Sequence, residues 1–168
     1  MVDAAAALGR GELAKARLEQ ANINPQTGLA TDYLNHFNEV VMLLEMLPAM
    51  PDCAEDVLEW TPLSYEAHFE KSGFSEKQLA ITAYRAAPDE LREALTSVVR
   101  RIDDAVLAAQ SRLRQADEPV ALANSLAEEA TMTIKPLVAV AGAIIHGHVD
   151  TQEPAEDESQ AAIDALFA

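Results

Sequence analysis

The chain has 168 residues, of which 49% are hydrophobic and 5% aromatic, and its formal net charge is −16. This composition suits one folded domain with an appendage and excludes a globally disordered chain. The negative charge argues against nucleic acid and anionic lipid as partners, because both carry charge of the same sign. A partner with a basic patch, or a metal ion, is favoured instead.

The sequence predicts a helical, cytoplasmic protein that does not insert into a membrane. Ala, Leu and Glu are frequent and β-branched residues are few, which favours helix over sheet. The single cysteine, Cys53, cannot form an intramolecular disulfide. No N-terminal stretch has the pattern of a signal peptide, and the apolar run from Leu137 to Ile145 is too short to span a bilayer.

Two helices are predicted in the first part of the chain. The first runs from Asp3 to about Ala21, although Gly9 and Gly11 weaken its start. The second and stronger helix covers residues 31–47, because apolar side chains recur there at steps of four and three. They form one stripe: Leu29, Tyr33, Phe37, Val40, Leu44 and Leu47.

The middle of the chain is less regular. Residues 52–72 predict one or two short helices that cover the core with Trp60, Tyr65 and Phe69. The next helix, residues 75–86, has a capping signature in which Ser75 and Gln78 form a capping box. Phe74 and Leu79 would add a hydrophobic staple at the same end.

Two long helices follow. Pro88 suits the first turn of one, whose apolar stripe has heptad-like spacing: Leu91, Leu95, Val98, Ile102, Ala105, Ala109 and Leu113. Its other face carries a row of arginines: Arg92, Arg100, Arg101, Arg112 and Arg114. The last helix runs from Asp117 and Pro119 to about Ile145, and Pro136 should kink or split it.

Short links between these helices predict an all-α fold, an antiparallel helical bundle of four or more helices over residues 1–147. Residues 148–158 are expected to be a flexible acidic linker, because five of the nine residues 150–158 are acidic and Pro154 is among them. Residues 159–168 form a separate amphipathic segment. A homodimer through one of the long apolar stripes is a further expectation.

The C-terminal segment, SQAAIDALFA, has the pattern of a short amphipathic helix. Ser159 can cap it, and Ile163, Leu166 and Phe167 then share one face while Asp164 lies off it. Such a helix is marginal alone, but on a tether it is a recurring way to bind a groove on another protein. The alternative is that the segment folds back on its own bundle.

SQAAIDALF resembles the peptide of flagellar motor switch proteins that docks on the chemotaxis response regulator, and a similar tail ends the chemotaxis phosphatase. The matching residues are Ser159, Gln160, Ile163, Asp164, Ala165 and Leu166. Phe167 replaces a Leu, and Ala162 replaces a residue that is often acidic. The motor switch peptide is N-terminal, so the C-terminal position here agrees better with the phosphatase. The resemblance covers residues 159–167 only and implies a response-regulator receiver domain as the partner.

The helical body offers one candidate for catalysis, in which Asp32, Asn35, His36 and Glu39 share a helix face at steps of three and four. Response-regulator phosphatases present an acid and an amide that orients the attacking water. The chemotaxis phosphatase places an acid and a Gln four apart on a helix, and none of the helices predicted in the body has that spacing. His36 as a phosphoacceptor is another option, but the Lys and Gly that usually follow such a histidine are missing.

Two other interpretations of this face remain. His36 and Glu39 could bind a metal ion together with Glu45, Glu128 or Glu129, but the ligand set is incomplete because no second His has the required spacing. Alternatively, the face is simply solvated or lies at a subunit interface. No cofactor and no metal are expected.

Three further features have both a functional and a structural explanation. His146 and His148 resemble a chelating pair but stand at a helix end, where a cationic His complements the dipole. The arginine row could bind an acidic or phosphorylated partner, or pair with the acids of the chain itself. Cys53 lies between Asp52 and Glu55, which disfavour a reactive thiolate.

The sequence therefore predicts an interaction protein of bacterial two-component, chemotaxis-like signalling that docks a receiver domain through its C-terminal peptide. One alternative is an enzyme, a phosphatase or phosphotransfer protein that uses the face from Asp32 to Glu39. A remoter alternative is a metal-binding helical bundle.

Overall fold

The computed structural model describes residues 7–73 and 75–148. All regular secondary structure in these ranges is helical, which confirms the all-α prediction. The α-helices are α1 (Lys15–Gln20), α2 (Leu34–Met46), α3 (Cys53–Glu59), α4 (Tyr65–Lys71), α5 (Lys77–Ala86), α6 (Asp89–Gln115), α7 (Pro119–Glu129) and α8 (Lys135–Ile145). Two 3₁₀ turns, Gly11–Leu13 and Thr31–Tyr33, and one π-helical turn, Ala130–Ile134, complete the set.

The N-terminal helix is shorter than predicted. Gly9 and Gly11 adopt φ of 87° and 53°, a left-handed conformation that an α-helix cannot contain. Ala14 is extended, with ψ of 147°, and α1 begins only at Lys15. The left-handed conformation of the two glycines thus prevents a continuous helix, although the surrounding Ala, Leu and Glu residues have a high helix propensity.

Helix α2 confirms the strongest prediction from the sequence. The stripe is buried along its length, since Tyr33, Phe37, Val40, Leu44 and Leu47 are each at most 2% exposed. The chain enters α2 through the 3₁₀ turn Thr31–Tyr33, whose N-cap position is occupied by Ala30.

The region around Trp60 forms two short helices, α3 and α4, as predicted. Ser64 caps α4, and its Oγ accepts a hydrogen bond of 3.1 Å from the backbone N–H of Ala67. The predicted cap of α5 is wrong. Glu76 rather than Ser75 precedes the helix, because the N–H of Ala80 donates to the carbonyl of Glu76. The helix therefore starts at Lys77, with no side-chain cap.

Helices α6 and α8 pack against each other and supply much of the core. Five of the seven residues predicted for the stripe of α6 are buried: Leu95, Val98, Ile102, Ala109 and Leu113. Leu91 and Ala105 are only half-buried, and Val99, Val106 and the polar Gln110 are buried in addition. The prediction that Pro136 splits the last helix is confirmed, because the π-helical turn separates α7 from α8. Proline has no N–H to donate, and its ring would clash with the carbonyl of Met132 in a regular α-helix.

The C-terminal end of α8 is fixed to the loop before α2. The buried hydroxyl of Thr27 donates a hydrogen bond of 2.7 Å to the carbonyl of Ile145, and it accepts one of 3.2 Å from the N–H of Leu29. Within the described ranges, every helix is too short or too polar to cross a bilayer. The docking peptide and all but the first residue of the predicted acidic linker lie outside the described residues.

Candidate functional site

Asp32 and Asn35 form a hydrogen-bonded acid–amide pair at the start of α2. The Nδ2 of Asn35 donates to Oδ1 of Asp32 over 3.2 Å. The other oxygen, Oδ2, lies 3.1 Å from Nε2 of His68 in α4. The side chain of His68 is 12% exposed and that of Asp32 34%. Asp32 is therefore held on both oxygens, while Asn35 remains at the surface with its amide carbonyl oriented by this bond.

His68 was not among the sequence-predicted site residues. It lies in a different helix, α4. Its position in that short helix was the only feature of the sequence that could have indicated a role in the site. The ring of Tyr33 packs against that of His68 with centroids 5.6 Å apart, and the ring of Phe69 does so at 4.9 Å. These aromatic contacts fix the imidazole, so His68 positions Asp32.

The acid–amide pair borders a cavity of about 440 Å³. Its wall also includes Ile145 and His146 at the end of α8. The Thr27–Ile145 hydrogen bond therefore holds the last described part of the chain beside Asp32 and Asn35. The α8 terminus and the candidate catalytic pair thus share one cavity.

His36 and Glu39 border a different cavity, of about 410 Å³, together with Trp60 and Thr61. The Nε2 of His36 lies 2.8 Å from the carbonyl oxygen of Thr61, and its ring stacks on Trp60 with centroids 4.7 Å apart. The indole N–H of Trp60 donates to the carbonyl of His36 over 2.9 Å. Trp60, whose role the sequence did not indicate, therefore covers His36.

His36 is arranged as a neutral hydrogen-bonding group. Burial lowers its pKa below the ordinary value of 6.5, and the hydrogen bond to Thr61 opposes this effect only partly. At neutral pH the Nε2–H can donate to that carbonyl, which leaves only Nδ1 to accept. The four predicted residues therefore separate into two sites, the acid–amide pair and the covered histidine with Glu39.

Two of the acids considered as metal ligands, Glu45 and Glu129, have other partners. Glu45 accepts a hydrogen bond of 2.7 Å from the hydroxyl of Thr131 and lies 3.5 Å from Nζ of Lys135. Glu129 pairs with Arg112 at 3.0 Å. Across residues 7–73 and 75–148, no three His, Cys, Asp or Glu side chains form a group that could hold a metal ion.

The arginine row is partly neutralised by the acids of the chain itself. Arg92 pairs with Asp89, and Arg112 bonds Ser125 as well as Glu129. Arg100 instead borders a separate cavity beside α6. The row is therefore not one continuous binding surface.

No protein-family model, curated protein or solved structure matches this chain. The acid–amide pair offers an oriented carbonyl oxygen and a carboxylate at the surface, and the α8 terminus lies beside them.

Proposed function

We propose that this protein binds a response-regulator receiver domain in bacterial, chemotaxis-like two-component signalling through residues 159–168. The observation that carries the proposal is the segment SQAAIDALF, which follows an acidic stretch and resembles a receiver-docking peptide. Ile163, Leu166 and Phe167 would enter a groove on the receiver, and Ser159, Gln160 and Asp164 would make its polar contacts. The proposal places the protein in the cytoplasm.

The body contributes through the position of its last described residues. His146, two residues before the last described residue, lies on the cavity that Asp32 and Asn35 border. If residues 149–158 act as a flexible tether, the peptide ranges roughly 17 Å from His148, or about 33 Å when fully extended. A receiver held by the peptide is thereby concentrated near the acid–amide pair.

This placement favours a second function, dephosphorylation of the bound receiver. The carbonyl oxygen of Asn35 would accept a hydrogen bond from the attacking water, while the receiver supplies its own metal ion and phosphoryl group. The Asn35–Asp32 bond of 3.2 Å restricts the amide to one orientation. Phosphotransfer through His36 is less favourable, because its Nε2 already bonds the carbonyl of Thr61.

The proposal also retains the antiparallel arrangement of the helical body. Residues 116–118 alone join α6 to α7, and so short a link favours antiparallel neighbours. The proposal also includes a homodimer. It does not favour the metal-binding alternative, because two of the acids considered as ligands already pair with Arg112 and Lys135.

A labelled peptide of residues 155–168, titrated against phosphorylated and unphosphorylated receiver domains of the source organism, tests the docking. We expect saturable binding that Leu166→Ala and Phe167→Ala each weaken about tenfold or more, because buried apolar anchors dominate such interfaces. Glu156→Gln in the linker is the matched control and should change the affinity little. Failure to bind any receiver would refute the proposal.

The enzymatic function is tested by the rate of receiver dephosphorylation in the presence of the full chain. Asn35→Ala should slow it about a hundredfold, because a misplacement of the reacting groups by about 1 Å can cost that much. Asn38→Ala, on the neighbouring exposed part of α2, is the control. If both variants dephosphorylate the receiver as the parent does, Asn35 has no catalytic role and docking alone remains.

A further inference from the structure

A separate cavity of about 310 Å³ lies between α6, α5 and the loop before α4. Its volume falls at the lower end of the range for small-molecule sites. Aromatic and aliphatic side chains form most of its wall, among them Tyr84, Leu95 and Val99. The ring of Tyr84 stacks on Tyr65 with centroids 4.4 Å apart and an angle of 15° between the ring planes. The wall is therefore held in place before any ligand arrives.

Asp103 brings an incompletely satisfied carboxyl group to this cavity. Its Oδ1 is shielded from solvent and has no hydrogen-bond partner among the described residues. Burial, and secondly the charge of Asp104, raise its pKa to about 6. A buried polar atom without a partner is costly and rare in native proteins. Rotation about Cβ–Cγ exchanges the two oxygens, so a donor in the cavity can reach either one.

Arg100 brings a guanidinium to the same cavity, three residues before Asp103 on α6. Side chains at this spacing are neighbours on a helix surface, with Cβ atoms about 5–6 Å apart. Within the described residues the two groups nevertheless form no ion pair, and Arg100 has no carboxylate partner in salt-bridge contact. The cavity therefore has a carboxyl group and a guanidinium close together. Because they form no ion pair with each other, each can bind a group of the ligand.

We propose that this cavity binds a small apolar α-amino acid, with its ammonium on Asp103, its carboxylate on Arg100 and its side chain against Tyr84, Leu95 and Val99. An α-amino acid carries its ammonium and its carboxylate on the same Cα atom, so two oppositely charged side chains that are neighbours on a helix can contact both groups. The guanidinium suits a carboxylate because its N–H groups form a planar fork. The part of the wall formed by Leu95 and Val99 favours an apolar side chain, because burying a polar one there without a partner is unfavourable.

Asp32 and Asn35 do not border this cavity, and the proposal uses none of the residues of the predicted docking peptide. Its ligand would therefore bind whether or not the receiver proposal holds. It gives the protein a small-molecule input in addition to the proposed protein partner.

Isothermal titration calorimetry of the full chain with L-leucine, L-valine and L-phenylalanine tests the proposal. At least one of them should bind saturably with a Kd below about 10 mM, a limit that is tenfold above the upper end of the usual range of KM values. For the amino acid that binds, the carboxylic acid without the amino group and the amide without the carboxylate should each bind about tenfold more weakly or worse, since each loses a charged hydrogen bond. Absence of binding by all three amino acids, or equal binding of either analogue, would overturn the assignment.

Matched variants locate the site. Asp103→Asn and Arg100→Gln should each weaken binding about tenfold or more, while Asp104→Asn and Arg101→Gln, their exposed neighbours on α6, should leave it unchanged. Arg100 is itself exposed, so the Arg100→Gln variant tests the site even if a substitution at Asp103 disturbs folding. Unaltered affinity in both Asp103→Asn and Arg100→Gln would show that the ligand binds elsewhere and that the proposal is wrong.

Discussion

Gln110 is the polar residue on which the position of Trp60 depends, and its replacement gives a sharp prediction. It is 2% exposed, and its Nε2 donates to two carbonyl oxygens at the end of α3, those of Val57 at 2.8 Å and Trp60 at 2.7 Å. The last carbonyls of a helix have no partner within the helix. Gln110 thus supplies from α6 a hydrogen bond to the carbonyl of Trp60 and a second one to the carbonyl of Val57.

Gln110→Met keeps the length of the side chain but removes the amide. The carbonyl of Val57 still accepts a bond of 3.3 Å from the N–H of Trp60, so the main loss is at the carbonyl of Trp60. One unsatisfied buried carbonyl costs about 1–3 kcal/mol, partly offset because a buried amide is replaced by an apolar group. We expect the free energy of unfolding to fall by about 2 kcal/mol.

Urea denaturation followed by fluorescence measures this change, since Trp60 is the only tryptophan in the chain. Gln115→Met is the control, because Gln115 is exposed on the same helix and bonds only the hydroxyl of Ser111. Its effect should stay within about 0.5 kcal/mol. A loss below about 0.5 kcal/mol for Gln110→Met, at an unchanged m-value, would refute the hydrogen-bonding role given to Gln110.

Three further substitutions test the fold and the cavity beside α6. Gly28→Ala should destabilise the protein by about 2 kcal/mol or more in thermal or urea denaturation, because φ is +76° there and a Cβ would lie 2.6 Å from a backbone oxygen of α5. Gly73→Ala, where a Cβ meets nothing within 4 Å, should be nearly neutral, and equal losses would contradict the argument. For Asp103 the pKa is raised from 3.8 to about 6, so the folded state binds more protons and this group's contribution to stability falls as the pH rises from about 4 to above 6. Asp103→Asn should remove that part of the pH dependence of the unfolding free energy, whereas Asp104→Asn should not. If the unfolding free energy of Asp103→Asn depends on pH as that of the parent does, the carboxyl of Asp103 is not buried. Tyr33→Phe should lower stability by about 1 kcal/mol, because the phenol donates a bond of 2.8 Å to a carbonyl of the loop before α4, and a melting temperature equal to that of the parent would show the bond to be unimportant.

Periodicity in the sequence was sufficient to predict the long buried stripes. The stripe of α2 and that of α6 follow from spacing alone, because burial of one helix face is a local property of the pattern. The capping signature at Ser75 was a weaker guide, since helix α5 begins two residues later. Gly9 and Gly11 ended the predicted first helix, although composition had favoured its continuation.

The candidate site was predictable only in part, because spacing shows which residues share a face but not what packs on that face. Asp32 and Asn35 do contact each other, as their spacing indicated. His68 and Trp60 come from other segments, and they separate the predicted face into two sites. Gln110 had one local signal, a polar residue inside an apolar stripe, but its partners lie more than forty residues earlier in the chain.

The most direct test of the central claim is calorimetric titration of the full chain with the receiver domains of the source organism. We expect saturable binding to at least one receiver. The combined substitution Ile163→Ala, Leu166→Ala and Phe167→Ala should weaken it by about a hundredfold or more, because a few buried apolar anchors carry most of the binding energy of such an interface. Asn35→Ala should leave this binding intact. A receiver that binds the triple variant as tightly as the parent chain, or the absence of binding to every receiver, would contradict the account.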